Sequence, residues 1–139
     1  MTEFFTIPMN YKTTERDGVL VSKPSQPTIQ KWQRLDHIIK PREDQGTAIV
    51  CGKVSGISVI DFDTKTGYEE FVQKFGTPTT KVVQTVRGYH VYYKYDPDLR
   101  NTVNRELSID VKTEGGLIIA EGNCQYINGT PVYYLPVNN

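Results

Sequence analysis

The stretch Ser58-Val59-Ile60-Asp61-Phe62-Asp63 decides the fold, because apolar and acidic residues alternate along a β-branched run. Successive side chains of a strand point to opposite faces of its sheet. Asp61 and Asp63 should therefore project together, while Ile60 and Phe62 point into a core. Like charges side by side are destabilising unless a cation neutralises them. The alternative is that both acids cap a following helix, whose N-terminus favours negative charge, and capping explains Asp63 better than Asp61.

The sequence around this stretch predicts a mostly antiparallel sheet. From Thr47 onward, short β-branched runs alternate with Gly, Asn and Pro. Adjacent runs are expected to pair as hairpins, and the strongest turn signal is Asn128-Gly129. The predicted hairpins join residues 47–51 to 58–63, 81–86 to 89–95, 107–112 to 117–121, and 125–127 to 131–135.

Two helices are predicted beside these strands. After Asp63 the apolar residues follow helical spacing, at Tyr68, Phe71, Val72 and Phe75. Gly76 then stands where a helix would end. A second helix is predicted over residues 28–39, because it opens after Pro27 and stops before Pro41. The expected fold class is therefore α+β.

The totals predict one globular domain over residues 1–139, since a chain of 139 residues is too small for two independent cores. An intracellular location is expected, because no apolar stretch could cross a membrane and the first residues lack a secretory signal. Cys51 and Cys124 lack the paired spacing of a zinc site and are expected to be reduced and buried, so no zinc is expected. The net charge is zero. Basic residues are concentrated in the central segment as Lys81, Arg87, Lys94, Arg100, Arg105 and Lys112, either as a local basic surface or as scattered solubilising charges.

A third acid and a histidine repeat the pattern of an ionisable residue inside a predicted strand. Asp110 and Lys112 should share one face of their strand, and His90 is expected on a polar face of another. Aspartate is poorly suited to strands, so three such residues indicate a site that overrides propensity. Three carboxylates on one sheet suit two-metal catalysis of phosphoryl transfer, with oxygen ligands for Mg²⁺ or Mn²⁺. His90 and Lys112 are candidates to hold a triphosphate.

Several segments together resemble the archaeo-eukaryotic primase superfamily, specifically the prim-pol domains of plasmid and viral replication proteins. Their order and strand context carry the resemblance, since each motif alone is weak. The matching segments are the glycine-rich lead from Gly46 to Asp63, the stretch Thr85-Val86-Arg87-Gly88-Tyr89-His90 with a small residue two positions before the histidine, Ser108-Ile109-Asp110-Val111-Lys112 with the glycine-led run 115–120, and upstream Lys23-Pro24 with Trp32.

The resemblance implies a DNA primase-polymerase with a particular fold and site. The fold would pair an N-terminal α/β unit with an RRM-like, mostly antiparallel sheet. Asp61, Asp63 and Asp110 would be catalytic and would bind two Mg²⁺ or Mn²⁺ ions. His90 would contact the phosphates of the incoming nucleotide, with Lys112 and Arg87 as nearby phosphate or template contacts. The partners would be a single-stranded DNA template, nucleoside triphosphates and a helicase domain of the same polypeptide.

The sequence departs from the family pattern at two places. The family often has Pro-Ser after the last glycine-led strand, whereas this chain has Glu121-Gly122-Asn123. Related domains also commonly continue beyond the position of Tyr134. The expectation is a prim-pol domain taken from a longer replication protein, or a compact variant.

Two other functions stay open from the residues alone. Asp110-Val111-Lys112 fits the acid-x-Lys part of a metal-dependent nuclease, but that function leaves His90 and the paired acids without a role. A non-catalytic RRM-like module would use tyrosines as stacking platforms for nucleic acid. The candidate tyrosines are Tyr92, Tyr93, Tyr95, Tyr126, Tyr133 and Tyr134.

Overall fold

The computed structural model describes residues 4–137, which form two six-stranded sheets and one α-helix. The expected α+β class with mostly antiparallel strands is confirmed. The twelve strands are β1 (Thr6–Arg16), β2 (Val19–Pro27), β3 (Gly46–Val50), β4 (Ile57–Phe62), β5 (Val82–Gln84), β6 (Tyr89–Lys94), β7 (Thr102–Asn104), β8 (Ile109–Lys112), β9 (Leu117–Ile119), β10 (Cys124–Ile127), β11 (Thr130–Tyr133) and β12 (Leu135–Pro136). The helix α1 (Lys65–Phe75) follows β4. Residues 1–3, which entered the expectation of a chain without a secretory signal, lie outside the described range.

The two sheets, called sheet A and sheet B here, pack face to face. Sheet A has the order β11-β10-β2-β1-β3-β9, and sheet B has the order β12-β5-β6-β4-β8-β7. One buried cluster joins them, with Ile49 and Ile118 from sheet A against Val59 and Tyr92 from sheet B. Because Asp61 lies two residues after Val59 on β4, its side chain points into the same space between the sheets. The acidic face of β4 is thus an inner face of the molecule.

The N-terminal segment forms a long hairpin. Strands β1 and β2 pair antiparallel around Asp17-Gly18, whose φ angles are 53° and 80°. An Asp-Gly pair is a strong signal for this type of two-residue turn. The predicted helix over residues 28–39 is wrong, since only Trp32–Arg34 form a single 3₁₀ turn. Lys31 adopts a left-handed conformation, and the Trp32 side chain packs against the outer face of sheet A, so packing overrides the helical pattern.

Two of the predicted hairpins are wrong. Strands β3 and β4 belong to different sheets, and an isolated bridge between Gly52, just after β3, and Ile57 takes the place of a hairpin. Strands β8 and β9 are likewise separated, because β8 pairs with β4 and β7 while β9 pairs with β3. In both cases the chain crosses from one sheet to the other through a glycine turn, at Gly52 with φ 107° and at Gly115 with φ 78°.

The remaining local predictions are confirmed. Strands β5 and β6 pair antiparallel, and β10 and β11 form the hairpin around Asn128-Gly129. Helix α1 ends at Gly76, whose N–H donates to Val72 O at 2.7 Å. Its Tyr68 and Phe71 pack against Phe62 on the outer face of sheet B. The acids and the helix therefore lie on opposite sides of β4.

Both cysteines are buried and unpaired, as expected. Burial raises the pKa of Cys51 to about 12, so its thiol stays protonated at neutral pH. Between residues 4 and 137, no helix combines the length and the apolar composition needed to cross a bilayer.

Candidate metal centre

Three aspartates converge at the open end of the space between the sheets. Asp61 on β4 lies directly opposite Asp110 on β8, and Asp63 follows the last residue of β4. One potential ligand atom from each of the three lies within 4.8 Å of the others. The Asp63 N–H donates to Ser108 O at 2.9 Å, which ties the end of β4 to the start of β8. Strand register therefore brings together residues that are up to 49 positions apart in the sequence.

The cluster concentrates negative charge in a partly desolvated place. Burial raises the pKa of Asp63, and the carboxylates of Asp61 and Asp110 raise it further, while the cations of Arg87 and Lys112 lower it. Helix capping does not explain these acids. The N-cap of α1 is Thr64, whose hydroxyl accepts from the Gly67 N–H at 3.0 Å. The repulsion among the carboxylates is instead of the kind that a bound cation relieves.

His90 lies on the other side of Asp61 from Asp110. It is the cross-strand partner of Asp61 on β6, and its Nε2 is 3.4 Å from Asp61 Oδ1. Its side chain is only 6% exposed, so the expected polar strand face is in fact a buried inner face. The ring packs 6.0 Å from the ring of Tyr134. Among the described residues Nδ1 has no hydrogen-bond partner, and buried polar atoms of this kind are typical of catalytic sites or of sites completed by a ligand or water.

Two basic residues from sheet B stand beside the acids. Lys112 Nζ lies 3.9 Å from Asp110 Oδ2, and both side chains are partly exposed. Arg87 is exposed in the bend between β5 and β6, near enough to Asp63 to lower its pKa. Both residues line the same cavity as Asp61 and Asp63. Every residue that the sequence predicted for the site is therefore placed around this one centre.

Gly88 allows the bend to lie against the end of β4. A Cβ atom built on Gly88 would stand 1.8 Å from the carbonyl oxygen of Phe62. The bend is closed by the Thr85 hydroxyl, which accepts from the Gly88 N–H at 3.0 Å. Glycine is therefore required at position 88, two residues before His90, because no side chain fits there.

The centre opens into a cleft of about 530 Å³ between the two sheets. This volume is within the usual range for small-molecule sites. Sheet B contributes the acids, and sheet A contributes residues that the sequence analysis did not assign to the site. The sheet A residues include Thr14, Arg16, Lys23, Ser25 and Gln125. The Asp17-Gly18 turn signal could have revealed the hairpin that carries most of them.

The tyrosines do not form an open stacking platform. Tyr92 and Tyr134 are buried at 3% and 4% exposure in the core between the sheets. Tyr93 instead packs with the helix on the outer face of sheet B, and the Tyr126 ring packs at a tilt against the Tyr11 ring of sheet A. These aromatic rings face different surfaces, which does not suit the RRM-like alternative.

The donor set fits a divalent metal. Mg²⁺ and Mn²⁺ prefer oxygen ligands, and carboxylates that converge within a few ångströms are what such ions bind. Asp61 and Asp110 keep 23% and 21% side-chain exposure, so neither carboxylate is sealed from solvent, and Asp61 lines the cleft. The fold and the acidic triad define the class of protein: an α+β domain with a carboxylate site suited to metal-dependent phosphoryl transfer.

The chain belongs to the Prim-Pol family, described as the N-terminal domain of bifunctional DNA primase/polymerases, whose model matches residues 7–136. This match covers nearly all of the described residues and includes the whole acidic triad. The chain is therefore a primase/polymerase domain, whose activity uses nucleotides and a DNA template. No curated protein matches the chain in sequence.

Proposed function

We propose that this domain joins nucleotides on a single-stranded DNA template, with Asp61, Asp63 and Asp110 as ligands of two divalent cations, Mg²⁺ or Mn²⁺. The supporting observation is the convergence of the three carboxylates within 4.8 Å inside a cleft of a Prim-Pol domain. When bound, the cations would neutralise charge on the attacking and leaving oxygens of the phosphoryl transfer. The protein's own contribution is to hold its ligands and the substrate in fixed positions.

The basic residues of sheet B are proposed to bind the triphosphate of the incoming nucleotide. Lys112 and Arg87 face the cleft from either side of the acids and would offset the phosphate charge. His90 Nε2 points toward Asp61, and the buried ring is held by packing against Tyr134. A side chain that is already ordered loses little entropy when it binds a phosphate oxygen. His90 would therefore orient a phosphate beside the acids.

The wider setting proposed for this domain is a replication protein of a virus or plasmid. A helicase domain in the same polypeptide would supply the unwound template, and the site of replication would be its location. These proposals rest on the motifs in the sequence and on the family match.

The direct test is nucleotide incorporation. The protein is incubated with a primed single-stranded template, labelled nucleotides, and Mn²⁺ or Mg²⁺, and the products are separated by size. We expect longer labelled products that require both the cation and the template. Shortening of the template without any extension would instead favour the nuclease function. A chelator control should remove all activity, because the carboxylates alone cannot stabilise the charge of the transition state.

His90→Ala is expected to weaken nucleotide use by about tenfold or more, since hydrogen bonds to charged groups contribute about 1.5–3 kcal/mol. Binding of the cation in the absence of nucleotide should be retained. The measurements are the KM for nucleotide and the metal-dependent rise in the thermal midpoint. His37→Ala is a matched control, because His37 is the other of the chain's two histidines and is 69% exposed on a loop. An unchanged KM in the His90 variant would contradict its proposed role.

A further inference from the structure

The N-terminal hairpin sends two basic side chains into the cleft from the side opposite the acids. Arg16 at the end of β1 and Lys23 on β2 line the same cavity as Asp61 and Asp63. Over the described range, neither Arg16 nor Lys23 forms an ion pair with a carboxylate. Two cations thus line the cleft of the metal centre without an ion-pair partner among residues 4–137.

The register of the hairpin places a third cation, Lys12, beside Lys23. Lys23 is directly opposite Lys12, so the two like charges occupy neighbouring places on the same face. Beyond Met9, β1 pairs with β2 and no longer with β3, and the side chains of Lys12, Arg16 and Lys23 are all exposed. Arg16 and Lys23 line the cleft. Such a placement indicates a surface that receives negative charge.

Pro24 fixes the position of Lys23. Pro24 is fully buried, and Gly46 on β3 approaches it so closely that an added Cβ would lie 2.7 Å from Pro24 Cβ. The pairing of β1 with β2 also shifts register between Asn10 and Tyr11, next to this point. Because the proline ring fixes its own φ angle and Pro24 is buried, the backbone of the preceding Lys23 has little freedom. The Lys23-Pro24 pair of the sequence therefore has a structural role, which is to present the lysine at a defined place.

The charges in the cleft favour a triphosphate as the anion. Four cationic side chains and two carboxylates line the cavity, and the four cations are Arg16, Lys23, Arg87 and Lys112. Lys112 already lies 3.9 Å from Asp110, whereas Arg16 and Lys23 have no such partner. A cavity of about 530 Å³ is of a size to take a nucleotide rather than a duplex. Phosphate oxygens are the acceptors that arginine and lysine bind most strongly.

We propose that Lys23 and Arg16 bind the triphosphate of the incoming nucleotide from sheet A, so that the phosphates lie between these cations and the metal centre on sheet B. This inference rests on the proposed polymerase function and adds a second wall to its nucleotide site. Closure of the site around the nucleotide would then depend on the spacing of the two sheets. Sheet A would thus serve as part of the active site as well as part of the core.

The test is direct binding of a fluorescent deoxynucleoside triphosphate in the presence of Mn²⁺, without template. Lys23→Gln and Arg16→Gln should each raise Kd by about tenfold, and the double variant by more. Affinity for the corresponding monophosphate should change much less, because it lacks the contacted groups. Lys23→Arg should restore most of the affinity for the triphosphate. Lys40→Gln is the matched control, since Lys40 is exposed on a loop away from the cleft.

Parallel titrations with labelled single-stranded DNA distinguish the source of the phosphates. The inference is overturned if the variants keep the wild-type Kd for triphosphate but lose affinity for DNA. In that case each substitution should also reduce the slope of log affinity against log salt concentration by about one, which would show that the residues bind DNA phosphates. Wild-type affinity for triphosphate in Lys23→Gln and in the double variant, with the wild type active in extension, overturns the inference and leaves the polymerase function standing. A wild-type protein that neither binds nor incorporates any nucleotide contradicts both. A lowered thermal midpoint identifies a misfolded variant. If Lys23→Gln is misfolded, the triphosphate Kd of Lys23→Arg is compared with that of Lys23→Met instead.

Discussion

Asp61→Asn is expected to lower nucleotide incorporation by about a thousandfold or more while the fold is retained. Mutation of a residue that only hydrogen-bonds to a metal ligand commonly lowers activity or metal affinity by about 10- to 100-fold. Asp61 is proposed as a ligand itself, so a larger loss is expected. Asp61 also lies between its two cross-strand partners, His90 on β6 and Asp110 on β8. Asparagine keeps the shape and removes only the charge. The variant should therefore lose its catalytic power without losing its core, and initial rates of extension at saturating nucleotide measure this.

The stability of the same variant separates a metal role from a structural one. Asp61 raises the pKa of Asp63, so removal of its charge relieves repulsion within the cluster. Without metal, Asp61→Asn should unfold at the same temperature as the wild type or a higher one. Added Mn²⁺ should raise the thermal midpoint of the wild type by mass action, and this rise should be absent from the variant.

Asp98→Asn is the control for Asp61→Asn, since Asp98 is exposed on a loop outside the cleft. It should keep both the activity and the metal-dependent rise. Wild-type rates of extension in Asp61→Asn would remove Asp61 from the metal site and with it the basis of the proposed mechanism.

Features set by local chemistry could be predicted from the sequence. The alternation around Asp61 identified β4, and the helical spacing up to Gly76 identified α1. The Asn128-Gly129 turn identified the last hairpin, because its φ angles of 48° and 82° are ones that Asn and Gly tolerate. In each case the residues involved are neighbours in the chain.

Features set by packing between distant segments could not be predicted. Strand β4 is apolar on both faces, since Val59 meets the core between the sheets and Phe62 meets the helix. Its sequence therefore does not reveal which strands lie beside it, and the nearest one in sequence, β3, is in the other sheet. Residues 28–39 were predicted as a helix because prolines frame them, yet Trp32 is used to cover sheet A.

The site was predicted only in part, for the same reason. The acidic triad could be assembled from three strands whose inward acids follow the alternation rule. Arg16 and Lys23 were not assigned to it, because their place on the cleft becomes apparent only when β1 and β2 are recognised as strands of the sheet opposite sheet B. The acids signal their role through an unusual position in a strand, whereas basic residues in a polar segment do not.

Gly88→Ala is expected to destabilise the protein by about 3 kcal/mol and to lower its activity strongly. The added methyl carbon would lie 1.8 Å from Phe62 O, and that atom is backbone inside a paired strand. Overpacking against a site that cannot yield costs about 1–3 kcal/mol and sometimes more. For a chain of this size the thermal midpoint should fall by roughly 10 °C. Chemical denaturation with an unchanged m-value would show that stability alone is altered.

Gly67→Ala is the matched control for Gly88→Ala. Gly67 is in the first turn of α1, and its added Cβ would meet the Thr64 hydroxyl at 3.1 Å, a small group that can adjust. Alanine is also favoured over glycine in a helix by about 1 kcal/mol, so this variant should be as stable as the wild type. A Gly88 variant with an unchanged midpoint would mean that the bend does not lie against β4.

The loss of activity in Gly88→Ala should exceed the loss that unfolding explains. Gly88 lies between Arg87, which faces Asp63, and the β6 residues that pair with β4 from Phe62 to Ile57. Any shift that accommodates the methyl group must move the bend away from the end of β4, and this displaces Arg87 and His90 relative to the acids. Displacements of about 1 Å at a positioned group can cost about a hundredfold in rate. Measured well below its lowered midpoint, the folded variant should therefore bind Mn²⁺ through its acids yet incorporate nucleotides poorly, because the phosphate-binding residues are out of place.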